Sequence, residues 1–145
     1  MDIKHILCPV DFSDFNQTAN EYASVLAKSS GAKITYFHVT LPDVTYGAYG
    51  YVDIDAERAR DQKRLEEIRP TIENIESTYA VGFGTPATAI VEYAEENDVD
   101  LIVIGTHGRT GLSRVVMGSV AEAVVRKATC PVLAIKSDSS VAQTS

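Results

Sequence analysis

The sequence predicts an α/β domain: a parallel sheet with helices on both faces. Three observations carry this. Predominantly apolar runs of strand length alternate with segments whose apolar residues recur at helical spacing, and that alternation implies parallel strands joined by helical crossovers. Two of the runs, residues 3–10 and 101–104, lack the in–out alternation of a half-exposed strand and suit strands buried on both faces. The second run breaks at Gly105 into a stretch that holds four of the chain's nine glycines: Gly105, Gly108, Gly111 and Gly118.

The elements follow in order. Ile3 to Val10 reads as the first strand, ending between Pro9 and Asp11. Ser13 or Asp14 caps the next helix, where Phe15, Ala19, Tyr22, Ala23 and Leu26 form an apolar stripe and Gly31 is a natural stop. Lys33 to Thr40 is the second strand. Residues 42–51, with Gly47, Gly50, Tyr46, Tyr49 and Tyr51, read as a loop. A charged helix over about 54–69 has Leu65 and Ile68 on its buried side, and Pro70 ends it. From Ile75 to Phe83 the period becomes two. That predicts a third strand near a sheet edge, with Ile75, Ser77, Tyr79, Val81 and Phe83 on one face and the other exposed.

Thr85 and Pro86 supply a cap and a first-turn proline for a helix with Ala89, Ile90, Tyr93 and Ala94 as its stripe and Asn97 as its end. Leu101 to Ile104 is a central fourth strand. The last helix spans Ser119 to Lys127, with Ser119 as cap and Glu122 completing a capping box. Pro131 to Ile135 is a short fifth strand. Residues 1–137 form one domain and 138–145 a polar tail.

Bulk properties narrow the function. At 45% hydrophobic and 23% charged residues, the chain is globular rather than disordered. No apolar run approaches the roughly 18 residues of a membrane helix, so membrane insertion is not expected. Asp2, Lys4 and His5 interrupt any signal-peptide core, and Cys8 and Cys130 sit in apolar runs as reduced core thiols; both point to the cytoplasm. A net charge of −7 without a basic stripe argues against nucleic acid. There is no P-loop lysine motif, no G-x-G-x-x-G after the first strand and no G-x-S-x-G elbow. No His/Cys cluster suggests a metal site. His5 and His38 read as strand residues, and His107 lacks an evident carboxylate to orient it, so no residue is assigned a catalytic role.

What remains is an anion site. A buried strand, a glycine loop and a helix start together gather backbone N–H groups where a helix dipole favours negative charge. Gly105 and Gly108 are followed, after nine residues, by Gly118 and Ser119. The N–H groups of Ser119 and Val120 and the Ser119 hydroxyl suit a phosphate, and Gly118 keeps the approach free of a Cβ. The alternative is that the same glycines serve only as turns, and Ser119 only as a cap. Arg109 and Arg114 are by default solvated surface charges; the alternative is that one of them meets a terminal phosphate. If the first and fourth strands are neighbours, Asp11 faces the glycine loop across one crevice. Its carboxylate either closes an Asx turn or accepts from ribose hydroxyls.

These residues resemble the universal stress protein family, in its small, single-domain, ATP-binding form. The likeness runs through KHILCPVDFSD, ITYFHV, GTPATAIVEYAEE and DLIVIGTHGRTGLSRVVMGSVAEAVVRKATCPVLAIK. The family's pattern G-x-x-G, nine residues, G-[ST] is met by Gly105, Gly108, Gly118 and Ser119. The resemblance implies an open, Rossmann-like sheet of five strands in order 3-2-1-4-5. It implies that Pro9, Val10 and Asp11 line an adenosine, with Asp11 on the ribose, Val39 on the adenine and Ile104 nearby. Gly105, His107, Gly108, Gly118, Ser119 and Val120 would hold the phosphates of ATP or another adenine nucleotide, with or without Mg. It further implies a homodimer through the last strand (Val132, Leu133, Ala134, Ile135). The function expected is stress-response regulation, in which nucleotide occupancy signals to a protein partner. The alternatives are a slow ATPase or phosphotransferase and a dimeric interaction module without nucleotide.

Overall fold

The computed structural model describes residues 2–13, 16–41, 53–106 and 117–136. The order along the chain is β1 (His5–Pro9), α1 (Asn16–Ser30), β2 (Lys33–Thr40), α2 (Ile54–Leu65), β3 (Ser77–Phe83), α3 (Pro86–Glu96), β4 (Leu101–Gly105), α4 (Ser119–Lys127) and β5 (Val132–Ile135). The five strands form one parallel sheet in order β3-β2-β1-β4-β5. The loop expected at 42–51 and the tail at 138–145 lie outside the described residues.

The continuous apolar runs divide cleanly between two faces. Ile6, Cys8, Ile34, Tyr36, Leu101 and Val103 pack with Ala19, Ala23 and Ala27 of α1 and Leu65 of α2. Leu7, Phe37, Val39, Ile102 and Ile104 pack with Ala87, Ile90 and Ala94 of α3 and Ala121 and Val124 of α4. The period of two is present, but both phases are apolar because helices cover both faces.

The line of α1 that meets the sheet is small: Ala19, Ala23, Ser24 and Ala27 are buried. Tyr22, expected on the apolar stripe, is 51% exposed. The helix lies close to the sheet on its alanines, which leaves the wider side chain facing solvent. Gly31, at φ +78°, ends α1 in the left-handed backbone that favours glycine.

Two expectations for the middle of the chain need correction. The charged helix stops at Leu65 rather than near Arg69. Its end tightens as the N–H groups of Glu67 and Ile68 donate to the carbonyls of Arg64 and Leu65. Strand β3 is an edge strand, as expected, but neither face is bare. Tyr79 and Val81 pack on the α1/α2 side and Ala80 on the α3 side, while Phe83, expected inward, is 44% exposed. Gly82 lies so close to Phe37 that a Cβ there would sit 2.6 Å from the ring's Cζ.

The two sheet edges differ. Glu76 O accepts from Ile34 N–H, so the carbonyls of Tyr79 and Val81 point away from β2. Arg58 donates to Val81 O and Gln62 to Tyr79 O, which occupies that edge from α2. At the other edge, Pro131 O and Ile135 O accept from the N–H groups of Ile102 and Thr106. The N–H and C=O groups of Val132 and Ala134 therefore point outward.

Candidate functional site

β1 leads into α1 on one face of the sheet, and β4 leads toward α4 on the other. Their carboxyl ends diverge and open a crevice at the point where the strand order reverses. The cavity there measures about 390 Å³, the size of a small-molecule site. Its walls include Pro9, Val10, Asp11, Val39, Ile104, Gly105, Gly118, Ser119 and Val120. These nine are all of the expected site residues that fall among the described ones. His107, Gly108 and Arg109 lie outside the described residues, as does Arg114.

The crevice has two chemical characters. Toward β2 and α3 its wall is apolar, from Phe37, Val39, Leu41, Pro86 and Ile90. Toward β4 and α4 it presents Gly105, Thr106, Gly118 and the first turn of a helix. Thr106 ties the latter together: its N–H donates to Ile135 O at 2.9 Å, and its carbonyl accepts from Gly118 N–H at 2.6 Å. The ends of the glycine-rich segment are thereby pinned to each other and to β5.

Helix α4 has the expected bounds, Ser119–Lys127, but its cap is not the expected Ser119. Gly118 is the cap, at φ −63° and ψ 154°, and Ser119 is the first helical residue, with no side-chain cap. Glu122 does not return to the helix start; its carboxylate pairs with Arg126. The capping box is therefore absent, because the helix already begins from Gly118, whose carbonyl accepts from Glu122 N–H. The Gly118 backbone angles suit any residue, so conformation does not demand glycine here. Since the Gly118 N–H is bonded to Thr106, the amides of Ser119, Val120 and Ala121 are the first-turn donors without an intrahelical acceptor.

Asp11 sits at the opposite wall. Its Oδ1 accepts from Ser13 N–H at 3.0 Å, closing an Asx turn, while its own N–H donates to Asn16 Oδ1 at 2.8 Å. Asp11 is the sole carboxylate among the described residues of the cavity wall.

Sequence reasoning missed Asn16, His38 and the apolar wall from Phe37, Leu41, Pro86 and Ile90. His38 reaches the crevice from β2, its ring nitrogen Nδ1 2.7 Å from Val10 O and Nε2 3.6 Å from Asp61 Oδ2. Thr40 donates to the same Asp61 oxygen. Phe12, at φ +65°, has its ring centred 4.2 Å from the His38 ring and tilted 33° to it, and carries the Arg64 guanidinium on its face at 4.3 Å. These contacts arise from strand register and helix packing, which no local motif records.

Neither cysteine is set up as a nucleophile. Burial pushes the Cys8 thiol up to about 12, so it stays protonated and inert. Cys130 is half-buried and also raised, again mainly by burial. Both thiols are free. No group of three or more His, Cys, Asp or Glu among the described residues could hold a metal ion, and no described helix is long and apolar enough to cross a membrane.

Fold and crevice together define a doubly wound α/β protein with an open cavity at its switch point. The chain belongs to the universal stress protein family, whose model matches residues 2–136. It is 37% identical over 139 residues to Universal stress protein MJ0531 of Methanocaldococcus jannaschii, covering 92% of this chain and 82% of that protein. Among solved structures, the MJ0577 protein superposes with a TM-score of 0.74 at 26% identity, covering 93% of this chain and 96% of that one. Two further universal stress proteins share the fold at 24% identity. One was solved with cAMP (TM-score 0.64, covering 93% and 98%), the other, from Archaeoglobus fulgidus, with dAMP (TM-score 0.61, covering 94% and 100%).

Proposed function

We propose that the crevice binds an adenine nucleotide, ATP in the first instance, and that occupancy changes the surface between Thr106 and Gly118 that a regulatory partner reads. One observation carries the reading: three first-turn amides of α4 without intrahelical acceptors line a cavity whose other wall is apolar. Amides and the helix dipole suit phosphates, and the apolar wall suits a base. In this reading the Ser119 hydroxyl and the amides of Ser119, Val120 and Ala121 hold the phosphates, with Gly105 lending close approach. Asp11 accepts from the ribose, and Pro9, Val10, Val39 and Ile104 enclose the adenosine. His107, Gly108 and Arg109 complete the phosphate site from the segment beyond Thr106. Proteins of this fold have been solved with cAMP and dAMP, so the fold accommodates adenine nucleotides. With Asp11 as the one carboxylate of the wall among the described residues, a Mg ion would take its ligands mainly from phosphate oxygens and water.

The outward N–H and C=O groups of Val132 and Ala134 favour pairing of two copies along β5, because an unpaired apolar edge invites another strand. Asp61 and Arg64 of α2 engage His38 and Phe12 and do not themselves line the cavity. That favours a binding and signalling role in the stress response over turnover.

Acid release of small molecules from the purified protein tests the reading. Adenine nucleotide in near-equal amount is expected. For stripped protein, ATP at a hundred times its dissociation constant adds about 2.7 kcal/mol of stability, a rise in melting temperature of roughly 5–10 °C. No released nucleotide and no shift with ATP would overturn the proposal. Sustained turnover near one per second would replace it with the enzyme reading.

A further inference from the structure

Asn16 stands on the crevice wall beside Asp11, and its hydrogen bonding is half used. Its Oδ1 accepts from Asp11 N–H at 2.8 Å, which fixes the oxygen, since only an acceptor can meet that donor. The amide's Nδ2, on the same carbon, then carries two donors that meet no acceptor among the described residues. The residue is half-buried, so its amide is held by the Asp11 bond rather than free in solvent. Asp11 holds its carboxylate by the Ser13 turn at 3.0 Å. A fixed acceptor and a fixed donor thus stand side by side on one wall of a cavity of about 390 Å³.

We infer that Asn16 is a ligand-contacting residue that, paired with Asp11, selects a sugar with two adjacent hydroxyls. A hydroxyl both donates and accepts, so two neighbours on a ribose ring match a carboxylate and an amide together. A sugar lacking one leaves a half-buried polar group unmatched. The inference rests on the nucleotide reading above and deepens it: the chain prefers ribonucleotides over their 2′- or 3′-deoxy forms.

The test is calorimetric titration of ATP, 2′-deoxy-ATP and 3′-deoxy-ATP into the full chain and into Asn16→Asp and Asn16→Ala. Asn16→Asp keeps an acceptor for Asp11 N–H and loses the donors. Its added charge weakens all three ligands alike, so the informative quantity is the ratio of affinities. Wild type is expected to prefer ATP over at least one deoxy form by on the order of tenfold. Asn16→Asp is expected to lose most of that preference while its melting temperature without ligand stays near that of wild type. Asn16→Ala should lose the preference and also soften the Asp11 turn. A wild-type preference that persists in Asn16→Asp overturns the inference and leaves nucleotide binding standing, as does a wild type that binds all three equally. A wild type that binds none of the three overturns both.

Discussion

At Ser119 the structure separates two roles that one residue type can fill. A serine cap would contribute to helix stability, but the cap is Gly118, so the Ser119 hydroxyl contributes no cap bond. Ser119→Ala is therefore expected to leave the melting temperature of ligand-free protein unchanged. ATP affinity should fall by roughly 1.5–3 kcal/mol through loss of a charge-assisted bond. Gly118→Val is backbone-compatible at φ −63° and costs only about 1 kcal/mol at the cap. It should fold yet lose ATP binding through the side chain it brings to the crevice. Calorimetry and thermal melts on both variants check these outcomes, and unchanged affinity in both would remove α4 from the site.

His5 tests the opposite end of the sheet. Its Nδ1 meets Asn97 O at 3.1 Å and its Nε2 meets Thr35 Oγ1 at 2.7 Å, which in turn meets Thr78 Oγ1. Burial holds its pKa below the ordinary 6.5. The unfolded chain therefore binds more protons than the folded one as pH drops. The His5 contribution is complete above pH 6.5 and is lost as pH falls through 6.5 toward the folded value. Urea unfolding across roughly pH 5 to 7.5 should show a steeper acid-side loss in wild type than in His5→Gln. Equal slopes would contradict the assignment.

Among the elements, β2 and β3 fit closely where Gly82 meets Phe37. Gly82 faces the Phe37 ring, which itself packs against Tyr93 at 4.6 Å. Phe37 also lines the crevice, so the fit reaches the site. Gly82→Ala should cost about 1–3 kcal/mol by overpacking, read as a lower urea midpoint with an unchanged m-value. Full wild-type stability would show that the ring moves aside freely. The strands themselves were legible because their apolar runs are dense: Lys33 to Thr40 was read with its observed bounds. The bounds of α4 are legible too, but its cap falls on Gly118 rather than Ser119, because Gly118-Ser119 and a following Glu122 fit two cap assignments equally well in sequence. Tyr22 and Phe83 were misassigned because periodicity says which residues share a face, not how closely the neighbouring element approaches.

For the whole molecule, topology explains why the site could be anticipated at all. Glycines after a buried strand and an acid after another converge only if those strands are neighbours, and the order β3-β2-β1-β4-β5 makes them so. The nine expected residues that the structure describes line one cavity. Asn16 and His38 could not be found this way, because their place at the wall depends on how α1 begins and on how β2 registers with β1. The asymmetry of the edges belongs to this scale too: α2 side chains occupy outer carbonyls of β3, while the outward groups of Val132 and Ala134 on β5 meet no partner among the described residues.

The most direct measurement is calorimetric titration of ATP and of adenosine into the stripped wild-type protein. If the amides of α4 hold the phosphates, ATP binds at least about a hundredfold more tightly, the worth of two charge-assisted hydrogen bonds. Equal affinities for the two would contradict a phosphate site at α4.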